Sequence, residues 1–384
     1  AYFGYEAGHY ATGSQNTFVG AQAGKGGTTS APYSSGQYNT AVGYQALTAF
    51  TTGGQNVAIG RQAGIAITSG DDNIVIGKSV ATNLTTGTNN IAIGEDALDL
   101  ENTGTYQIAI GYRAGYKNRL SDTSYNTFIG NSAGRENVSG NDNTYVGNSA
   151  GYGVDGGHGD NNTAVGKYAV FNILGNNTTA IGNEAGYYAT GSQNTFVGSE
   201  AGKGGTTSAP FSSGQNNTAL GYQALTAFTT ATGNTAIGYG AGDSITTGGN
   251  NALLGYQAGS ALVGGGTNIA IGYQPLYLGT ANSNAIAIGG RAGYNSQASY
   301  NVYVGYSAGR ENRAGVSQVY IGNQAGYYAT GSYNTFVGSD AGKGGTTSAP
   351  YSSGEENIAI GYQALTAFTT GYENIVIGHQ AGDA

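Results

Sequence analysis

At 384 residues the chain could hold two ordinary domains, but only 9% of it is charged, 71 residues are glycine, and cysteine, methionine and tryptophan are absent. Such a composition argues against a conventional mixed core, and would read as disordered were Val, Ile and Leu not so regularly placed. With a net charge of −8 and Lys and Arg scattered one or two at a time, there is no basic stripe for nucleic acid, and no apolar run nears the ~18 residues of a membrane span, so neither partner is expected. Absent cysteine fits either redox compartment.

The chain opens inside a repeat, Ala1-Tyr2-Phe3-Gly4, and stops soon after another, which predicts a piece of a longer protein. From Asn16-Thr17-Phe18-Val19-Gly20 onward, a phrase of Asn, a β-branched residue, Ala or an aromatic, Val or Ile, and Gly returns to Asn374–Gly378. Counted by its glycine it occurs 22 times, spaced mostly 16 or 17 residues apart, with two steps of 19 and three of 23. That period is too short for a helix pair and suits one coil of a solenoid. The expected fold is therefore all-β, a single continuous parallel β-solenoid (β-roll or β-helix) over 1–384 with about 22 coils. Coils stacked ~4.8 Å apart would make a rod of roughly 100 Å. Larger blocks, 1–181, 182–321 and 322–384, repeat above the coil.

Column by column, the residue before each glycine is branched aliphatic, as in Val19, Val42, Ile59 and Ile76, and is expected to be the dry core. The preceding column mixes Ala41 and Ala58 with Phe18, Phe128, Phe196 and Phe336. Read as outward-facing, it is an apolar patch calling for self-association or a glycan. The Asn column, interrupted by Gln107, Thr178, Ala285 and Gln318, is expected to form a structural ladder. Tyr222, Tyr239, Tyr256 and Tyr273, each just after a motif glycine, should stack along the coils as a packing or glycan surface.

Three long coils share Ala-Gly-Lys-Gly-Gly-Thr-Thr-Ser-Ala-Pro-aromatic-Ser-Ser-Gly at 23–36, 201–214 and 341–354. Their extra residues should bulge from the ladder, where proline costs no hydrogen bond. Lys25, Pro32 and Tyr33, Lys203, Pro210 and Phe211, and Lys343, Pro350 and Tyr351 are thus candidate contact residues. Within the first, Gly20 to Thr28 is like a phosphate-binding loop, but the spacing is one residue short and Gly follows Lys25 where Ser or Thr should stand.

No catalytic or metal-binding constellation emerges, so no enzyme activity, metal or cofactor is expected. His9, His158 and His379 are far apart. Asp155, His158 and Asp160 are read as a loop, and Glu95, Asp96, Asp99 and Glu101 as solvated charge. Paired threonines such as Thr51-Thr52, Thr85-Thr86 and Thr229-Thr230 keep an ice-binding surface open as a minor alternative.

Asn-Ile-Ala-Ile-Gly at 268–272 and 357–361 resembles the coil of trimeric autotransporter adhesin heads of the YadA type. The phrase Asn39-Thr-Ala-Val-Gly-Tyr-Gln-Ala-Leu-Thr-Ala-Phe-Thr-Thr52 is similar to repeats in tail fibres of marine bacteriophages. These resemblances imply a homotrimer of parallel β-rolls outside the cell, on a virion or cell surface, that binds a host receptor or glycan. The expected role is a structural and adhesive fibre shaft; a subunit of a polymerising extracellular filament is the alternative.

Overall fold

The structure, a computed structural model, describes residues 1–28, 30, 33–118, 124–153, 159–205, 211–345 and 351–383. Among them it is all-β, built of turns and short strands without a helix. Two compact units divide the chain, Ala1–Ser192 and Gln193–Ala384. The first carries strands from Tyr2–Phe3 and Thr17–Val19 to Thr179–Ile181, the second from Thr195–Val197 to Ile375–Ile377.

Within each unit every strand pairs in parallel with that of the next coil. Register follows the repeat: Thr40, Ala41 and Val42 lie opposite Val57, Ala58 and Ile59. Each unit is a parallel β-solenoid, as the coil length predicts.

Facing is the reverse of the sequence expectation. From Thr17–Val19 to Ile358–Ile360, the central residue of each strand is buried and its two neighbours are not. Phe18, Phe128, Phe196 and Phe336 are therefore core residues with no accessible surface, and none belongs to an oligomer or glycan surface. The Val/Ile column, expected inside, looks out. A three-residue strand sends one side chain inward and two outward. One inward position per strand leaves a narrow interior, filled from the rest of the coil.

Sizes inside that interior compensate. In the coil of Ala41, Leu47 and Phe50 complete the filling; in the coil before it, Phe18 fills the space and Gly24 and Gly27 stand in the places of Leu47 and Phe50. The Phe18 and Phe50 rings meet across the coils at 5.6 Å. Phe196 with Phe228, and Phe336 with Phe368, repeat the arrangement at the same distance. Since interiors tolerate neither voids nor overlap, a bulky centre requires small partners.

Asparagine does form a ladder. The Asn56 backbone N–H donates to Asn39 Oδ1 at 3.0 Å, and Asn56 Nδ2 donates to the Gly70 carbonyl of the next coil at 2.8 Å. Asn73 and Asn90 repeat both contacts. These side chains are fully buried, so the carboxamides satisfy backbone groups that water cannot reach. At the motif glycines φ lies between +127° and +139°. A side chain is strained there, and a Cβ would run into the next coil; on Gly255 it would fall onto the Gly272 carbonyl oxygen.

Candidate functional site

Three features stand apart from the repeat: the long coils, the outward sheet face and one acidic coil.

At the first long coil, Tyr10 is fixed by its own backbone. Its N–H donates to the Lys25 carbonyl at 2.7 Å, and its carbonyl accepts the Ser34 N–H at 3.1 Å. Ser34, buried, bridges to Ala11 and returns the long coil to the ladder. This clamp places the Tyr33 ring near-parallel to Tyr10, with centroids 6.1 Å apart, while His9 meets Tyr10 edge-on at 4.4 Å. His9, Tyr10, Ala11, Thr12 and Tyr33 line an open cleft of about 340 Å³. Lys25 Nζ lies 2.7 Å from Glu6. That hydrogen bond, helped by one from Gln22, pulls the Glu6 carboxyl down to about 2, so the pair stays ionised and internally neutral.

The third long coil rebuilds the arrangement. Tyr328 donates to the Lys343 carbonyl and accepts from Ser352, and its ring stacks on Tyr351 at 5.7 Å with Tyr327 edge-on at 4.4 Å. Lys343 is paired with Asp340 at 2.8 Å. Before the second long coil, Tyr187 and Tyr188 form the same edge-on pair at 4.5 Å. Lys203 and Phe211 are half-buried, whereas Pro32, Pro210 and Pro350 lie outside the described residues, as do Asp155 and His158.

The outward face is apolar. Val19, Ile59, Ile129 and Val165 in the first unit, and Leu220, Leu254, Ile288 and Ile321 in the second, are each more than a third exposed. Beside them Tyr222, Tyr239, Tyr256 and Tyr273 stack at 5.4, 5.2 and 5.3 Å, each nearly half exposed. No charged side chain interrupts the outward positions of these four coils, Thr218/Leu220, Thr235/Ile237, Ala252/Leu254 and Ile269/Ile271. The paired threonines present less. Thr51, Thr85 and Thr229 donate their hydroxyls to carbonyls of the following coil, at 3.1, 3.1 and 2.9 Å.

The acidic coil departs from the sequence reading. Glu95 and Asp96 pair with Lys78 and Arg113, and Asp99 is half-buried against Thr82, but Glu101 is fully buried in a place where other coils put Phe50 or Ile67. Its Oε1 accepts the backbone N–H groups of Asn102, Thr103 and Gly104 at 2.9, 3.2 and 2.8 Å, and Oε2 accepts Gln107 Nε2 at 2.9 Å. Burial nevertheless raises its carboxyl above the ordinary range. Gln107 turns its side chain inward to meet it, and Asn118 donates to Gln107 Oε1, so that side chain joins a buried polar network while the Gln107 backbone N–H keeps its ladder bond to Asn90 Oδ1 at 3.0 Å. The signal available was Gln107 in place of Asn just after an acid in an apolar column.

These features define a repeat-built parallel β-solenoid with an apolar outward face and aromatic clusters at its long coils. No protein-family profile, curated protein or solved structure matches the chain.

Proposed function

We propose that the chain is a structural and adhesive fibre shaft, of the kind found in phage tail fibres or surface adhesins, which self-associates as a homotrimer outside the cell and presents its long coils to a host surface. The observation that carries the reading is the outward Val/Ile column. An apolar face repeated through eleven coils of a unit exceeds what soluble monomers ordinarily leave exposed, and a sister chain with the same face would cover it. No reaction is assigned, and no cofactor is required.

Sedimentation tests the association: the proposal expects three chains per particle, and a stable monomer at micromolar concentration defeats it. Deleting 23–36, 201–214 and 341–354 tests the presentation. Attachment of the fibre to its host should fall while the solenoid still folds, and unchanged attachment assigns binding elsewhere.

A further inference from the structure

The aromatic pair at the long coils is more than loop packing requires. Tyrosine occupies the sixth position after the motif glycine only at Tyr10, Tyr188 and Tyr328, one coil ahead of each insert. The ring that follows proline is Tyr33, Phe211 or Tyr351. Across these copies the neighbouring ring changes from His9 to Tyr187 and Tyr327, and a phenol gives way to phenyl at Phe211, yet an aromatic face is kept. A hydroxyl is therefore dispensable at that position and a ring is not.

From this geometry we infer that the Tyr10–Tyr33 cleft, and its counterpart at Tyr328 and Tyr351, bind a neutral saccharide, with the C–H face of a pyranose on the exposed tyrosine ring. The inference rests on the attachment reading and deepens it. Aromatic faces suit a ligand that is apolar on one side and hydroxylated on its rim. Both rims are available in the first cleft: Tyr33 is 43% exposed, and Thr12 and His9 are exposed beside it. At the first cleft charge selects against an acidic sugar, because Lys25 is engaged by Glu6, as Lys343 is by Asp340 at its counterpart. Beside the Tyr351 ring, whose centre lies 5.6 Å from the Arg313 guanidinium, Arg310 and Arg313 share the Glu311 carboxylate at 3.7 Å each, so the selection against charge is expected at the first cleft.

The test is titration of the whole chain with methyl glycosides of glucose, galactose and mannose, and with glucuronic acid, followed by tyrosine ring resonances in NMR. Neutral glycosides should shift the Tyr10, Tyr33, Tyr328 and Tyr351 rings. Binding should weaken about tenfold per site on Tyr33→Ala or Tyr351→Ala and survive Tyr33→Phe, the scale expected for loss of one stacked ring. Tyr33→Phe also guards against misfolding, since Phe211 already occupies that place. Absence of ring shifts with every neutral glycoside, or equal binding of glucuronic acid at the first cleft, overturns the site. Attachment without saccharide binding would sink the site and leave the shaft reading standing; saccharide binding without attachment would do the reverse.

Discussion

A Cβ added to Gly134 would sit 2.5 Å from Cδ1 of Phe128, inside van der Waals contact. The same conflict recurs between Gly24 and Phe18, Gly151 and Tyr145, Gly202 and Phe196, Gly309 and Tyr303, Gly326 and Tyr320, and Gly342 and Phe336. Every aromatic strand centre thus has glycine six residues on. Gly134→Ala should destabilise the chain by about 1–3 kcal/mol through overpacking. Pairing Gly24→Leu with Phe18→Ala, which copies Ala41 and Leu47, should recover part of the loss carried by Gly24→Leu alone. Urea midpoints of the variants check both outcomes.

Because the strand centre faces in and its neighbours face out, adjacent residues should respond in opposite ways. Phe128→Ala should cost about 3–5 kcal/mol, the range for a fully buried ring. Ile129→Ser, on the outward face, should cost under about 1 kcal/mol within one chain while weakening association of copies. Denaturation reports the first effect and sedimentation the second. Equal loss of stability at both positions would refute the facing.

A motif glycine such as Gly255 should be far less replaceable than Gly264, where the space is open. Gly255→Val sets a branched side chain at φ +132° and against the Gly272 carbonyl, so it should lower the melting temperature and disturb the neighbouring coil as well. Gly264 has only Thr247 Oγ1 within reach, at 3.5 Å. Gly264→Ala should be neutral or stabilise by about 0.4–1 kcal/mol through the unfolded chain. A melting temperature unchanged by Gly255→Val would remove the close coil approach from the account.

Glu101 should make stability fall as pH rises. Its folded carboxyl titrates above the ordinary value of 4.5, chiefly through desolvation, so the folded state holds its proton more tightly than the unfolded chain does. The favourable contribution is complete below the unfolded value and is lost as pH climbs through the raised folded one. Glu6 and Glu95, lowered by their lysines, slope the other way at lower pH. The diagnostic is therefore the difference between wild type and Glu101→Gln: the variant should gain relative stability as pH rises from about 4.5 through the raised range. Urea midpoints measured across that interval decide it, and a constant difference would contradict the shift.

Much of this fold is legible before any coordinates. Asn39, Asn56 and Asn73 at 17-residue intervals announce a ladder, because only stacked coils bring them together, and Pro32, Pro210 and Pro350 mark where the coil lengthens. The core column was not legible from hydrophobicity, since Val19 and Phe18 are both apolar and adjacent. What distinguishes them is the pairing of Phe18 with Gly24, and of Ala41 with Leu47 and Phe50, a size relation across the coil that only an enclosed volume imposes. In the same way Glu101 looks like a surface acid until Gln107 and three backbone N–H groups converge on it.

By itself the sequence determined the coil, its length and its Asn and Gly columns, because each is a local requirement of turns stacked about 4.8 Å apart. Tertiary structure alone decided which face of a three-residue strand is inside, and with it the exposure of the Val/Ile column and the clamp that holds Tyr10 beside Tyr33. The physical reason is closure: the direction of a strand's centre depends on where the rest of its coil returns, and alternating apolar residues are silent about that.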